Sequence, residues 1–381
     1  MSSIAIQTQT TSPDSTGALR LKPWNKPPPS TADVEYANIE TVDLSLWDKP
    51  GGKAELAATV GRALTRDGFF YVINHTFSQE EVDRIFSIGQ VPFDEVPDDE
   101  KHKYEAKIKE KGTFRGYKLP SFWEIENGVR DRIEHYNFYN ERGSVGSPDE
   151  HPTALRPFLP EITAFLARSR EQILRRILAL ISLHLQLPDE DYLWRLHKAP
   201  DGREGRDLFR FMVYDPLQEE EAKQTNGVYL KGHTDFNTIS ILFSQPITSL
   251  QILMPNGEWA YAKHRPNGLV VNIGDQLSLL SGGVLRATVH RVVRPPEDQV
   301  SLRRLGVFHF AHAIDDTPLL PLYDSPIIRE KGVNIFKDKD HVPTAAEWES
   351  ARIASYGVVE LKKGQKWDTE VIAGVEVKHY K

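Results

Sequence analysis

Gly232-His233-Thr234-Asp235-Phe236-Asn237-Thr238-Ile239-Ser240-Ile241-Leu242-Phe243 joins two kinds of text. Its second half, Thr238 to Phe243, is a β-like run rich in apolar and β-branched residues. Its first half sets a histidine and a carboxylate two positions apart, and in an extended chain such residues project to the same side. His233 and Asp235 are therefore predicted to face one pocket. A further imidazole, His290, stands in the second β-like run Thr288-Val289-His290-Arg291-Val292-Val293, which a separate strand can bring opposite the pair. Two imidazoles and one carboxylate would cap one face of a metal ion, an arrangement suited to iron(II) with open coordination positions. A closed four-ligand cage would stabilise a fold but could not exchange substrates.

On either side of this stretch, short β-like runs recur at 209–214, 250–254, 269–273 and 305–310, with Gly, Pro and Asn turns between them. Such punctuation predicts a sandwich or barrel, and a jelly roll protects its sheet edges by wrapping two sheets together. Upstream, Ile39 to Leu44 alternates like a strand, 54–65 carries apolar residues at helical spacing, and 69–73 reads as a buried strand. The strongest helix runs from Ile162 to Leu187 and is closed by Pro188. Residues 1–32 are polar and Pro-rich, without apolar periodicity, and are expected to form a flexible tail. Near the C-terminus, Thr344 to Ile353 reads as a capped amphipathic helix followed by a charged tail.

Composition narrows the function classes. The 381 residues are 39% hydrophobic and 27% charged, as in ordinary globular proteins. A net charge of −7 with no Lys/Arg stripe argues against a nucleic-acid partner. No apolar stretch approaches bilayer length and no signal-like leader is present, so no membrane partner and a cytoplasmic location are expected. There is no cysteine, which excludes disulfides, thiolate metal sites and cysteine nucleophiles.

Several ordered motifs together resemble the isopenicillin N synthase-like family of 2-oxoglutarate/iron(II)-dependent dioxygenases over roughly residues 38–315. The first portion is similar to that family in Asp67-Gly68-Phe69-Phe70-Tyr71-Val72-Ile73-Asn74-His75, Pro92-Phe93 and Pro97 to Lys101. The second portion is similar in Tyr214-Asp215-Pro216, His233-Thr234-Asp235, Leu250-Gln251, Asn272-Ile273-Gly274-Asp275 and His290-Arg291-Val292. The resemblance implies a mixed α/β chain whose all-β core is a double-stranded β-helix (jelly roll) flanked by helices. After the tail, it implies an N-terminal oxygenase domain with its long support helix at 33–204, a catalytic core at 205–315, and a C-terminal helix or lid with a tail at 316–381. His233, Asp235 and His290 are implied as iron ligands, whereas His75, His309 and His312 are expected to be structural.

The family clamps 2-oxoglutarate with an Arg-x-Ser pair, and the matching stretch here is Arg304-Leu305-Gly306. Strand alternation should turn only one of Arg303 and Arg304 inward, and the match selects Arg304. Tyr214 matches a tyrosine that reaches the co-substrate, with Met212 where an asparagine is common. The implied activity is hydroxylation, demethylation, desaturation or another oxidation of a small organic molecule of secondary metabolism. It uses Fe(II), dioxygen and 2-oxoglutarate, with ascorbate as accessory reductant, and releases succinate. Two other classes stay open at this point: a 2-oxoglutarate-independent iron oxidase of the same fold, suggested by Gly306, and a non-catalytic binding protein on the scaffold. Phe122, Trp123 and Trp348 fall in regions suited to an apolar lid.

Overall fold

A computed structural model describes residues 21–333, 342–355 and 367–380. Twelve strands build two facing sheets. They are β1 (Thr41–Asp43), β2 (Phe69–Ile73), β3 (Gly116–Lys118), β4 (Ile133–Tyr139), β5 (Leu208–Tyr214) and β6 (Val228–His233). They continue with β7 (Ile239–Phe243), β8 (Leu250–Leu253), β9 (Trp259–Tyr261), β10 (Leu269–Ile273), β11 (His290–Val293) and β12 (Arg304–Ala311). The eight-stranded sheet has the order β1-β2-β10-β7-β12-β5-β4-β3, and the four-stranded sheet the order β9-β8-β11-β6. All pairings are antiparallel except β1 with β2. This is the expected double-stranded β-helix.

Period-two alternation decides which way each residue of the large sheet points. Phe209, Phe211 and Val213 of β5, Ile239, Ile241 and Phe243 of β7, and Leu305 and Val307 of β12 join the main core. Three helices cover that face: α1 (Gly52–Arg66), α2 (Gln79–Asp94) and the long α3 (159–184). The intervening residues, among them Arg210, Tyr214, Ser240, Asn272, Arg304 and Phe308, line a cavity between the sheets. Each fully buried Phe, Leu or Ile on the helix side contributes about 1.5–3 kcal/mol, so the sheet's outer face anchors the fold and its inner face is free to carry polar groups.

The long helix predicted at 162–187 is helical from Leu159 to His184, but Arg170–Leu174 forms a wider π turn. That turn carries Arg170, which is buried and ion-paired with Asp207, so a polar group has displaced regular winding. Within the expected 1–32 tail, residues 1–20 lie outside the described residues, whereas the next stretch is attached. Trp24 stacks on Phe86 of α2 at 4.2 Å, and the Thr31 backbone N–H donates to Asp298 at 2.8 Å. The C-terminal helix appears as α5 (Ala345–Ser355), with the reciprocal Thr344–Glu347 cap. The charged tail expected after it contains a hairpin, Trp367–Ile372 with Val375–Tyr380, whose Ile372, Val375 and Val377 enter the core. Among the described residues no helix is long and apolar enough to cross a membrane.

Candidate active site

His233 is the last residue of β6, and Asp235 follows it in the turn toward β7. β11 pairs with β6 so that His290 lies directly across from His233, with ring centroids 4.5 Å apart. Nε2 of His290 and Nε2 of His233 stand 3.6 and 3.8 Å from Oδ1 of Asp235. One donor atom from each residue falls within 4.8 Å of the other two. Donors bonded at about 2.0–2.2 Å to a common ion need about this spacing, so the set fits a single metal.

The tautomers follow from the neighbours. Nδ1 of His233 meets the Lys231 carbonyl at 2.8 Å, and Nδ1 of His290 meets the Thr288 carbonyl at 3.2 Å. A carbonyl only accepts, so each Nδ1 carries the proton and each Nε2 keeps its lone pair. Burial lowers the His233 pKa to about 4, with His290 adding to the effect and Asp235 opposing it, so this ring is neutral at pH 7. Oδ2 of Asp235 accepts from Ser240 Oγ at 2.6 Å and Asn272 Nδ2 at 2.8 Å, which leaves Oδ1 for an ion. Burial opposes ionisation of Asp235, but His290, His233, Asn272 and Ser240 outweigh it and hold the carboxyl below its usual range.

The ligand turn is held from behind. Helix α4 (Asp275–Leu280) brings the Asp275 backbone N–H to the Asp235 carbonyl at 2.8 Å, and Gly274 N–H to Thr238 O at 2.9 Å. A Cβ at Gly274 would lie 2.3 Å from the Asn237 carbonyl, so only glycine permits this approach. From α5, Arg352 donates to the Thr234 carbonyl at 3.3 Å and lies 3.1 Å from Asp275 Oδ2.

Arg304 opens β12 opposite Tyr214 on β5, and its guanidinium lies over the Tyr214 ring at 5.0 Å. It is only 3% exposed, and its Nε and Nη1 find no hydrogen-bond partner among the described residues. Burial lowers its pKa, with Tyr214 opposing, and burial likewise raises the pKa of Tyr214. A buried cation with two vacant donors suits a carboxylate ligand. Arg303 points the other way, 2.9 Å from Asp215 and paired with Asp94. A Cβ at Gly306 would sit 2.5 Å from Phe308 Cε2, so the Phe308 ring occupies the space a serine side chain would need.

The remaining expected residues divide. His75 is buried away from the cavity and accepts from Phe77 N–H at 3.2 Å, and His309 bridges Ser169 and Asp207. His312, expected to be structural, instead lines the cavity, as do Trp123 and Met212. Trp348 is buried in the main core, and Phe122 packs in a smaller cluster. Sequence reasoning missed His135, Arg210 and Glu349, all of which line the same cavity of about 130 Å³. Alternation along 133–139 and 208–214 was the available signal for the first two. Ser240 and Asn272 were also unassigned, although Asn272 stood within a quoted motif.

Comparison with known proteins agrees with this geometry. A family model described as "non-haem dioxygenase in morphine synthesis N-terminal" matches residues 39–161, and one for the 2OG-Fe(II) oxygenase superfamily matches residues 207–313. A homoarginine-6-hydroxylase of Arabidopsis thaliana is 28% identical over 283 residues, covering 68% of this chain and 81% of its own. A 2-oxoglutarate-dependent dioxygenase of Gibberella zeae is 26% identical over 348 residues, covering 89% of this chain and 94% of its own. The crystal structure of a full-length Neurospora crassa protein in complex with alpha-KG shares the fold, with a TM-score of 0.70 at 21% identity over 87% of this chain and 100% of that one. With both halves matched in order on a shared fold, the chain belongs to the 2-oxoglutarate- and iron(II)-dependent oxygenase superfamily.

Proposed function

We propose that His233, Asp235 and His290 hold iron(II), that Arg304 and Tyr214 seat the distal carboxylate of 2-oxoglutarate, and that the enzyme oxidises a C–H bond of a small organic molecule. The observation that carries this reading is a shared enclosure. The three-donor centre and a buried guanidinium, two of whose nitrogens have no partner among the described residues, face the same apolar-walled cavity. When bound, iron with 2-oxoglutarate and dioxygen supplies the oxidising power, and 2-oxoglutarate leaves as succinate and carbon dioxide. The protein's own part is positional. His233 and His290 present neutral nitrogen lone pairs, Asp235 adds one negative charge, and Arg304 fixes the far end of the co-substrate.

Phe308, Phe310, Leu242 and Val270 keep water from the reacting region. Retention of Asp235 favours oxygenation over halogenation, which needs that coordination position for halide. An Arabidopsis relative is a homoarginine-6-hydroxylase, and hydroxylation of a small molecule is the outcome we favour here over demethylation or desaturation. The cysteine-free sequence is compatible with the reducing cytoplasm, where we place the protein.

A second reading, oxidation without 2-oxoglutarate, is favoured by one observation: Phe308 fills the space beside Gly306, so no hydroxyl assists Arg304 there. Calorimetric titration of 2-oxoglutarate into metal-loaded protein separates the two. The wild type should bind, and Arg304→Met should bind about 10- to 100-fold more weakly, the worth of a hydrogen-bonded charge contact. Equal affinities would remove Arg304 from the site, and substrate oxidation without succinate release would establish the oxidase reading.

A further inference from the structure

The end of the cavity beside α5 carries acceptors that the metal centre and Arg304 do not use. Glu349 of α5 is 7% exposed and lines the cavity together with His312, which follows β12 and is 5% exposed. The contacts to the Glu349 carboxylate are all long. The Tyr139 hydroxyl donates to Oε1 at 3.5 Å, and Nε2 of His312 lies 3.7 Å from the same oxygen. Charge-assisted hydrogen bonds to a carboxylate are about 2.5–2.9 Å long, so neither contact is a tight one. The Arg206 guanidinium lies 3.9 Å from Oε2, but its Nε donates to Asp315 at 3.0 Å and its side chain is 46% exposed. One half-hydrated guanidinium is thus shared by two carboxylates, and at an exposed position water screens most of its attraction. Glu349 is left buried with its negative charge largely unmatched, which is unfavourable.

His312 adds a second acceptor. Its Nδ1 is buried and has no hydrogen-bond partner among the described residues. A neutral ring that turns Nε2–H toward Glu349 keeps a lone pair on Nδ1. Acceptors of two residues, with a surplus negative charge, therefore face one cavity. They call for a ligand that brings donors and a positive charge together, and an ammonium group carries three N–H donors on one compact cation.

Position sets these acceptors near the metal centre and away from the co-substrate anchor. Glu349 and Arg352 stand three residues apart on α5 and are neighbours on its surface. Arg352 donates to the carbonyl of Thr234, which lies between the ligands His233 and Asp235. His312 follows Ala311, the last residue of β12, whereas Arg304 is the first, about 23 Å away at about 3.3 Å per residue. A ligand held at Glu349 would leave Arg304 free for 2-oxoglutarate. Leu208 and Phe310, paired across β5 and β12 and lining the cavity, offer apolar surface beside the same end.

We propose that Glu349 anchors an ammonium group of the substrate, and that the substrate is a small organic amine whose apolar body lies against Leu208 and Phe310. The proposal rests on the metal and 2-oxoglutarate assignments above. The test uses full-length protein loaded with Zn(II), which has no redox chemistry, and titrated first with 2-oxoglutarate to saturation, so that the metal centre and Arg304 are occupied. Binding of benzylamine and 2-phenylethylamine at pH 7 is then compared with that of benzyl alcohol and 2-phenylethanol, neutral molecules of nearly the same size, by ligand-observed NMR.

Each amine should bind about tenfold or more tightly than its alcohol, as expected for a hydrogen-bonded charge contact. Glu349→Gln keeps the side-chain volume and removes the charge, and should abolish that preference while alcohol binding stays within about threefold. Amines that bind no more tightly than the alcohols, or not at all, would overturn the subsite while the 2-oxoglutarate reading stands. So would a preference for amines that survives Glu349→Gln, the result expected if the amine were drawn to the metal. Failure of 2-oxoglutarate itself to bind in the first titration would overturn the functional reading and the subsite with it.

Discussion

The metal affinity of this site should depend on two side chains that touch no metal. Oδ2 of Asp235 is held by Ser240 Oγ at 2.6 Å and Asn272 Nδ2 at 2.8 Å, and these donors face one another across the β7–β10 pairing. Hydrogen bonds to a carboxylate are worth about 1.5–3 kcal/mol each. Part of that worth is already present without metal, so only the share that orients Oδ1 toward the histidines enters the binding constant. Replacing Asn272 by Leu removes the donor while keeping side-chain volume, and should weaken metal binding by about 10- to 100-fold, or about 1.4–2.7 kcal/mol.

Ser240→Ala should act in the same range. The double variant should cost less than the two single losses added, because both donors are needed to fix the same oxygen and loss of one already frees it. Competition between the protein and a fluorescent chelator for Mn(II) measures all four constants, and circular dichroism checks that the fold survives. If Asn272→Leu keeps its affinity within about threefold, these donors do not orient Asp235 and the carboxylate is set by other contacts.

Gly306→Ser should destabilise the protein by about 1–3 kcal/mol, since its Cβ would meet the Phe308 ring at 2.5 Å. Gly306→Ser combined with Phe308→Leu should recover most of that loss, as read from denaturant midpoints. The burial of His75 gives a pH-dependent stability. Its folded pKa of about 4, set mainly by burial, lies below the 6.5 of the open chain, so the unfolded state takes up the proton first. Its contribution is complete above pH 6.5 and erodes as the pH falls to 4. The gap of about 2.5 pH units at about 1.36 kcal/mol each amounts to about 3 kcal/mol. His75→Gln should remove that part of the pH slope, and an unaltered slope in urea titrations would contradict it.

The parts of the fold legible in the sequence share one property, an outer face packed on helices. The runs 209–214, 269–273 and 305–310 coincide with β5, β10 and β12 to within a residue because their core-facing positions are large and apolar. Alternation required only one of Arg303 and Arg304 to turn inward and the motif match selected Arg304; in the structure Arg304 lines the cavity and Arg303 pairs with Asp215. Strand β4, Ile133-Glu134-His135-Tyr136-Asn137-Phe138-Tyr139, escaped notice because both of its faces are buried: His135 serves the cavity, and Glu134 pairs with Lys101 on the other side. Polar alternation normally signals solvent, and here it signals an internal site. His312 was placed with the structural histidines because a lone histidine beside a core strand is more often a satisfied core residue than part of a site. Trp24 and the terminal hairpin were missed because their partners are remote in sequence: Phe86 for the one and the main core for the other.

Three elements converge on the turn between His233 and Thr238, and their convergence explains why a strand end can hold a reactive centre in place. β11 sets the register of His290 against His233, α4 clamps the turn through backbone N–H groups that Gly274 alone allows to approach, and α5 reaches it through Arg352. Arg352 is 2% exposed and lies beside Asp275, whose carboxyl burial pushes up and Arg352 draws back down. Such a pair adds little net stability but is costly to break from one side. α5 also carries Glu349 into the cavity. One helix thus touches both the metal-ligand turn and the cavity. Loss of Arg352 would therefore free the Thr234 carbonyl from the side of α5 and leave the ligand turn held by β11 and α4.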